Sequence, residues 1–323
     1  MHKTYLYNPP SPNNSMSRRS VIKHGPSTHV ISLPASWVRK NNIQKGEELQ
    51  VTQNGRELIV STQIQAAPLT TTQDVSNLTP FLVTRLLARN YQKGYDEIKL
   101  THENPEILAA IKEKTQDLMG LEIIEQNEHT CTIQSVTRNL DIDFDNSLRK
   151  VFLIVKQMIE SCQQAYQAGD EKALRNIKLR DMEVNRFAYF CLRQINKERH
   201  VNIEQRHQSF VLYHLVETLE DLGDTIVLFA KELAQAPPNK ILTEILTELK
   251  KQYETSYDYF YTPTAKRAKK ALEHNLRIHE LIEEIVESKL SKHEKLASIQ
   301  AHHATELIYP FTTMRLDLIQ QEA

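Results

Sequence analysis

Only 7 of the 323 residues are glycine. Glycine supplies the positive φ angles and the close backbone approaches that tight turns and phosphate-binding loops require. This scarcity argues against a doubly wound nucleotide-binding fold and favours helices. Because 40% of the residues are hydrophobic, the chain can bury real cores, and its length predicts two or three domains.

The cysteines and the apolar runs predict a cytoplasmic protein. Cys131, Cys162 and Cys191 are far apart, without CxxC or Cys/His spacing, which supports neither a zinc finger nor a disulfide framework. No apolar run approaches the roughly 18 residues of a membrane span, and residues 1–17 lack the apolar stretch of a secretory signal. We therefore expect no membrane insertion, and we interpret residues 1–17 as a disordered leader.

Charge is distributed unevenly along the chain, although the formal net charge is only -1. Residues 1–65 contain 8 Lys and Arg residues and 3 Glu residues, a balance of +5, so the remainder carries -6. A basic segment attached to an acidic body is expected when one end of a protein binds a polyanion.

The segment that follows Arg18 is typical of a small β unit. Extended runs are predicted at 20–23, 28–33, 48–52 and 57–61, with a short helix at 35–41. Gly25-Pro26 and Asn54-Gly55 are turn dipeptides, and the second is a strong hairpin signal. A unit of about 45 residues without metal or disulfides buries too little core by itself. We therefore expect an obligate dimer.

The string from Arg18 to Pro34, followed by Trp37 and Lys45-Gly46-Glu47, resembles the AbrB/SpoVT family of swapped-hairpin DNA-binding domains. The resemblance covers residues 18–63 and implies a homodimer that binds double-stranded DNA. The basic positions that match the family pattern are Arg18, Arg19, Lys23, Arg39 and Lys40. Phosphate contacts by such residues are independent of base sequence. The alternative is that these charges form the solvated face of a module that only dimerises.

A small α/β domain is predicted at 78–140, after a linker at 64–76. Helices are expected at 77–89 and 105–119, and strands at 97–100, 121–125 and 130–134. No constellation of chemically active residues is apparent in this domain. We interpret it as a spacer, with a small-molecule-sensing lobe as the alternative.

From residue 146 onward the periodicity is almost entirely helical. The segments predicted as helices, which are separated by Gly169-Asp170, Pro237-Pro238 and Thr262-Pro263, are 146–168, 171–200, 205–235, 240–259, 264–290 and 292–322. Two sets of three helices suggest an internal duplication.

Two pairs of oxygen-bearing side chains interrupt the apolar stripes of this helical body. Glu220 and Asp224 are four residues apart, so both side chains leave one helix face, with Gly223 between them. Asp181 lies on the apolar face of the preceding helix, one turn from Asn185. Oxygen ligands from two helices suit a hard or borderline divalent cation. The alternative is a set of surface acids without a metal.

The segments Leu219–Asp224 and Asp181–Arg186 resemble the E/DxxxD and DxxVN motifs of the PhoU family of phosphate-uptake regulators. The resemblance covers residues 145–322 and implies an all-α bundle of two three-helix repeats, 145–235 and 239–323. It also implies a cluster of iron or another divalent metal, and no organic cofactor. Glu220 and Asp224 would be ligands, with Asp181 and Asn185 from the second helix.

The second repeat departs from this pattern, because Pro310 stands four residues after Glu306. A second cluster is therefore not expected. His302, His303 and Glu306 could still bind a ligand, but adjacent histidines diverge on a helix, so we interpret His302 and His303 as ordinary surface residues.

A chain that joins these two parts resembles archaeal phosphate-uptake regulators of the same two-part design. They predict a non-enzymatic, DNA-binding transcription regulator of phosphate homeostasis with a metal-binding body. The alternative is an adaptor that regulates a phosphate transporter, or its ATPase, by protein contact. No Ser/His/Asp arrangement, P-loop or nucleophile elbow is present in the sequence. A metalloenzyme is the third hypothesis for the function.

Overall fold

A computed structural model describes residues 18–54, 57–62, 68–136, 143–197 and 203–319. The chain divides into two compact units, Met1–Ala67 and Pro68–Ala323. The predicted leader, residues 1–17, lies outside the described residues. The described residues combine short N-terminal strands with a helical C-terminal body, which confirms the coarse prediction of the fold.

The first unit contains two antiparallel hairpins and one short helix. Its elements are β1 (Ile22–His24), β2 (Thr28–Val30), α1 (Ala35–Lys40), β3 (Leu49–Asn54) and β4 (Glu57–Thr62). β1 pairs with β2 and β3 pairs with β4. Gly25 turns the first hairpin with a φ of 80°, a conformation that glycine adopts without strain. Four strands and a helix were predicted here, and β2 ends earlier than expected.

The first unit exposes much of its apolar surface. Residues 18–51, 53, 58 and 60–62 are all half-buried or exposed, and several large apolar side chains are more than half exposed. These include Val21, Ile22, Ile31, Val51 and Leu58. An apolar surface of this kind on so small a unit is expected to be covered by another chain.

The second unit begins with a four-stranded sheet and two helices. These are β5 (Thr70–Asp74), α2 (Pro80–Gln92), β6 (Glu97–Thr101), α3 (Pro105–Gln116), β7 (Leu121–Gln126) and β8 (Thr130–Ser135). The strand order is β5-β6-β8-β7, and β5 is parallel to β6 while the other neighbours are antiparallel. The prediction of a linker at 64–76 is wrong for β5. Its β-branched threonines fit an extended strand, and pairing with β6 satisfies its backbone.

The helical body follows in the same unit. Its elements are α4 (Phe144–Ala168), α5 (Glu171–Asn176), α6 (Lys178–Lys197), α7 (Ile203–Leu233), α8 (Lys240–Tyr261), α9 (Ala265–Glu287), α10 (Lys292–Ile308) and α11 (Phe311–Leu318). Two of the predicted helices are each divided into two in the structure. The helix predicted at 171–200 is divided near Ile177, and the helix predicted at 292–322 is divided at Tyr309-Pro310. Pro310 lacks the N–H that a continuous helix needs. No helix among the described residues is both long and apolar enough to cross a membrane.

Buried positions recur between the two halves of the body at constant spacing. The first helices, α4 and α8, share the pairs Leu148/Leu242, Val151/Ile245, Phe152/Leu246, Val155/Leu249 and Ile159/Tyr253. The third helices, α7 and α10–α11, share Leu215/Ala297, Val216/Ser298, Leu219/Ala301, Leu222/Ala304, Ile226/Ile308 and Phe229/Phe311. The same inward pattern appears twice, which supports the predicted duplication.

The sheet and its helices are anchored on the first half of the body by Arg193 of α6. Arg193 is 5% exposed. Its guanidinium donates to the carbonyls of Tyr91 and Tyr95 at 3.0 and 2.7 Å and to Asp96 Oδ1 at 2.8 Å. Tyr189 and Phe190 of α6 extend the apolar core of the sheet. The α/β part therefore packs directly on α6.

Candidate metal centre

The antiparallel helices α6 and α7 approach closely where Gly223 faces Asp181. A Cβ atom at Gly223 would lie 2.9 Å from Asp181 Oδ1 and 3.3 Å from Val184 Cγ1. Real Cβ atoms do not occur that close to a side-chain oxygen, so the absence of a side chain at Gly223 permits this approach. The structure thus brings Asp181 of α6 beside the α7 segment that carries Glu220 and Asp224.

Asp181 and Asn185 leave two acceptor oxygens without a partner. Asn185 Nδ2 donates to Asp181 Oδ2 at 3.1 Å. Asp181 Oδ1 and Asn185 Oδ1 are buried and accept no hydrogen bond from the described residues. Buried acceptors normally have partners, because an unsatisfied acceptor costs free energy. A cation bound at these two oxygens would satisfy both of them.

Glu220 and Asp224 line a cavity of about 280 Å³. The Tyr189 hydroxyl donates to Glu220 Oε1 at 3.4 Å, a long hydrogen bond. Asp221 and Glu217, from the same turns of α7, also line this cavity. One face of α7 therefore presents four carboxylates to a single partly enclosed space.

Burial and mutual repulsion destabilise the ionised carboxylates. Burial raises the pKa of Asp181 to about 7, and the charges of Asp224 and Glu220 add to that increase. Burial likewise raises the pKa of Glu220 to about 7, with further contributions from Asp224 and Asp221. At neutral pH these groups gain stability from either a proton or a cation.

Two arginines of α2 face the carboxylates and were missed by the sequence analysis. Arg85 and Arg89 line the same cavity and lower the pKa of Glu220. Arg89 Nη1 donates to Glu217 Oε1 at 2.9 Å and to Gln92 Oε1 at 2.9 Å. No local sequence signal connects Arg89 with Glu217, because they lie 128 positions apart.

The donor set fits a hard or borderline divalent cation. It offers the carboxylates of Asp181, Glu220 and Asp224 and the amide oxygen of Asn185. These are ligand types for magnesium, manganese and iron, and they include neither sulfur nor imidazole. Among the described residues, the carboxylate oxygens of Asp181, Glu220 and Asp224 do not all lie within 4.8 Å of one another, so the metal site on α6 and α7 stays a prediction.

The second half of the body carries a separate group of histidine side chains. His302 and His303 diverge, as predicted: the His302 ring packs on His279, with centroids 5.2 Å apart, whereas His303 Nδ1 lies 3.3 Å from Thr225 Oγ1. His279 of α9 was not considered in the sequence analysis, because no motif marks it.

All five predicted DNA-contact residues are exposed. Arg18 and Arg19 precede β1, Lys23 pairs with His29 in the first hairpin, and Arg39 and Lys40 form the last turn of α1. None of the five takes part in an ion pair within the described part of the chain. The structure therefore leaves these charges available, and it does not test what they bind.

A comparison with known protein families finds no family that matches the chain, and a comparison with curated proteins finds no match either. The resemblances to the AbrB/SpoVT and PhoU families consequently remain predictions from the motifs.

Proposed function

We propose that this protein is a dimeric, non-enzymatic DNA-binding regulator of phosphate uptake, with a metal-binding helical body. The observation that carries the proposal is the set of five exposed cationic side chains on the first unit, which are free of ion pairs among the described residues. A surface of unpaired arginines and lysines is the electrostatic requirement for binding the phosphates of duplex DNA.

Dimerisation follows from the apolar surface of the same unit. Ile22 and Val51 are 60% and 59% exposed, and residues 18–51, 53, 58 and 60–62 include no buried side chain. Pairing two copies would bury such side chains and double the number of basic residues on one particle. Val51→Asp is expected to shift the protein from dimer to monomer in sedimentation velocity. A substitution of exposed Val136 by Asp, outside the first unit, should not.

The helical body contributes the sensing part of this proposal. Protonation or metal binding at Glu220 and Asp224 changes the charge of the cavity that Arg85 and Arg89 also line, and Asp181 lies beside the same segment of α7. A change in that charge would alter how α2, and with it the α/β part, is held on the body. Coupling to DNA would work through the orientation of the paired first units.

Duplex DNA binding tests the proposal in the full-length protein. Arg18→Glu, Arg19→Glu and Lys23→Glu are combined in one variant. A matched control carries Lys266→Glu, Lys269→Glu and Lys270→Glu, which reverse the same number of charges on the exposed face of α9. Electrophoretic shifts are measured at several salt concentrations on genomic fragments and on random duplex.

The proposal expects steep loss of wild-type affinity with rising salt, weak binding by the first variant and near-normal binding by the control. Equal binding by all three proteins would overturn the assignment of the DNA surface. No binding by the wild type near physiological salt would instead favour the adaptor, in which the first unit only dimerises and the body contacts a phosphate transporter or its ATPase.

A further inference from the structure

Three potential metal ligands converge on the outer face of the second half of the body. They are His279 of α9 and His302 and Glu306 of α10, and their ligand atoms all lie within 4.8 Å of one another. His279 Nε2 is 3.1 Å from Glu306 Oε1. The His279 and His302 rings meet edge to face at an interplanar angle of 77°.

Helix geometry explains why these side chains meet. His302 and Glu306 are one turn apart on α10, so they share a face. The neighbouring helix α9 packs on α10 and supplies His279 from the opposite side. His303 points elsewhere, towards Thr225. The group thus forms a three-ligand arrangement built on two rigid helices.

We propose that His279, His302 and Glu306 bind one divalent transition-metal ion of the zinc type. Two imidazoles and one carboxylate suit zinc, nickel or cobalt better than they suit magnesium or calcium. The side chains of His279 and Glu306 are 32% and 48% exposed, so water would occupy the remaining coordination positions. The ion would load directly from solvent.

The duplicated burial pattern supports this assignment independently. In the third helices, the pairs Leu219/Ala301 and Leu222/Ala304 place His302 at the position of Glu220 and Glu306 at the position of Asp224. In the second helices, the pairs Ile177/Ala271, Val184/Ile278 and Cys191/Ile285 place His279 at the position of Asn185.

The two halves therefore present ligand sets at equivalent positions, one made of oxygens and one rich in nitrogen. The sequence marked His302 and Glu306 as residues that could bind a ligand, and the structure adds His279 from the neighbouring helix. Because the ligand set is different, the two sites would select different metals. This inference does not depend on DNA binding.

Zinc binding by the full-length protein, prepared without a polyhistidine tag, tests the proposal. The background variant carries Glu220→Gln and Asp224→Asn, which remove two carboxylates of the first half. Zinc that binds to this variant therefore measures binding at the site in the second half. Affinity is measured by competition with a chromophoric chelator, and cobalt absorption in the visible range reports the ligand environment.

The expected result is one zinc ion per chain in the background variant. His279→Ala or His302→Ala, added to the background variant, should weaken its affinity for zinc by at least about tenfold and abolish the cobalt spectrum. His303→Ala, next to His302 on the same helix, is the matched control and should leave both readouts unchanged. Thermal melts of every variant check folding, and Glu306→Gln serves as a conservative second variant if an alanine variant unfolds.

Absence of zinc from the folded background variant would overturn the proposal. So would equal weakening by His303→Ala and His302→Ala.

Discussion

Gly223 and Asp181 are in direct apposition across α6 and α7, with 2.9 Å between Asp181 Oδ1 and the position a Cβ at Gly223 would occupy. In an ordinary helix interior, alanine is more stable than glycine by about 1 kcal/mol. The approach of Asp181 reverses that preference at this position, and so the glycine belongs to the candidate metal centre.

Gly223→Ala is expected to destabilise the protein by roughly 1–3 kcal/mol and to weaken metal binding, because Asp181 must move. In an Asp181→Ala background the same substitution should cost clearly less, since the clash with the carboxylate is absent. Urea unfolding of the four proteins of this double-mutant cycle measures the coupling. A coupling energy near zero would contradict the close packing.

Protonation of Asp181 and Glu220 should stabilise the metal-free protein, and this contribution should be lost as the pH rises from about 4 to about 7. Asp181 and Glu220 have folded-state pKa values of about 7, above their ordinary values of 3.8 and 4.5. The folded state therefore binds protons more tightly than the unfolded state over this range, and the loss is complete above about pH 7.

Both carboxylates contribute to this loss, because each holds its proton more tightly in the folded state than in the unfolded state. Denaturant unfolding across pH measures it, and Asp181→Asn combined with Glu220→Gln should flatten the profile. Saturating divalent metal should also flatten it, because the ion replaces the protons. If the free energy of unfolding changes equally with pH in the wild type and the double variant, Asp181 and Glu220 are not the source of the pH dependence.

Arg193→Ala should destabilise the protein by about 3–5 kcal/mol, because it removes the buried cation that holds Asp96 and two carbonyls. Arg175→Ala is a suitable control, since Arg175 is 58% exposed and pairs only with Glu171 at 3.6 Å. Its cost should be below about 0.5 kcal/mol. Amide hydrogen exchange of the sheet should accelerate in the first variant and not in the second.

A small residue in the second half of the body, Ala271, corresponds to a larger one, Ile177, in the first half. Ala271 lines a cavity of about 300 Å³. Ala271→Val should stabilise the protein by about 1 kcal/mol, because each buried methylene contributes about that amount. Ile177→Ala, the reverse change in the first half, should cost about 2–5 kcal/mol. Thermal unfolding measures the change in stability of both variants. A loss of stability in Ala271→Val would mean that the cavity cannot accept the added carbons.

The sequence by itself determined the local elements. Helical periodicity predicted the helices of the body, and Pro34 and Gly25-Pro26 predicted the first hairpin and the start of α1. The spacing of Glu220 and Asp224 placed both carboxylates on one face of α7. These inferences hold because backbone geometry and side-chain period act over a few residues.

Only the tertiary structure decided which distant residues meet. Thr70–Asp74 becomes a strand because β6 is there to pair with it. Arg89 reaches Glu217 because α2 packs beside α6 and α7. His279 joins His302 and Glu306 because α9 lies against α10. Each contact joins segments whose sequences carry no mutual signal, since the free energy of packing depends on the whole arrangement and not on local pattern.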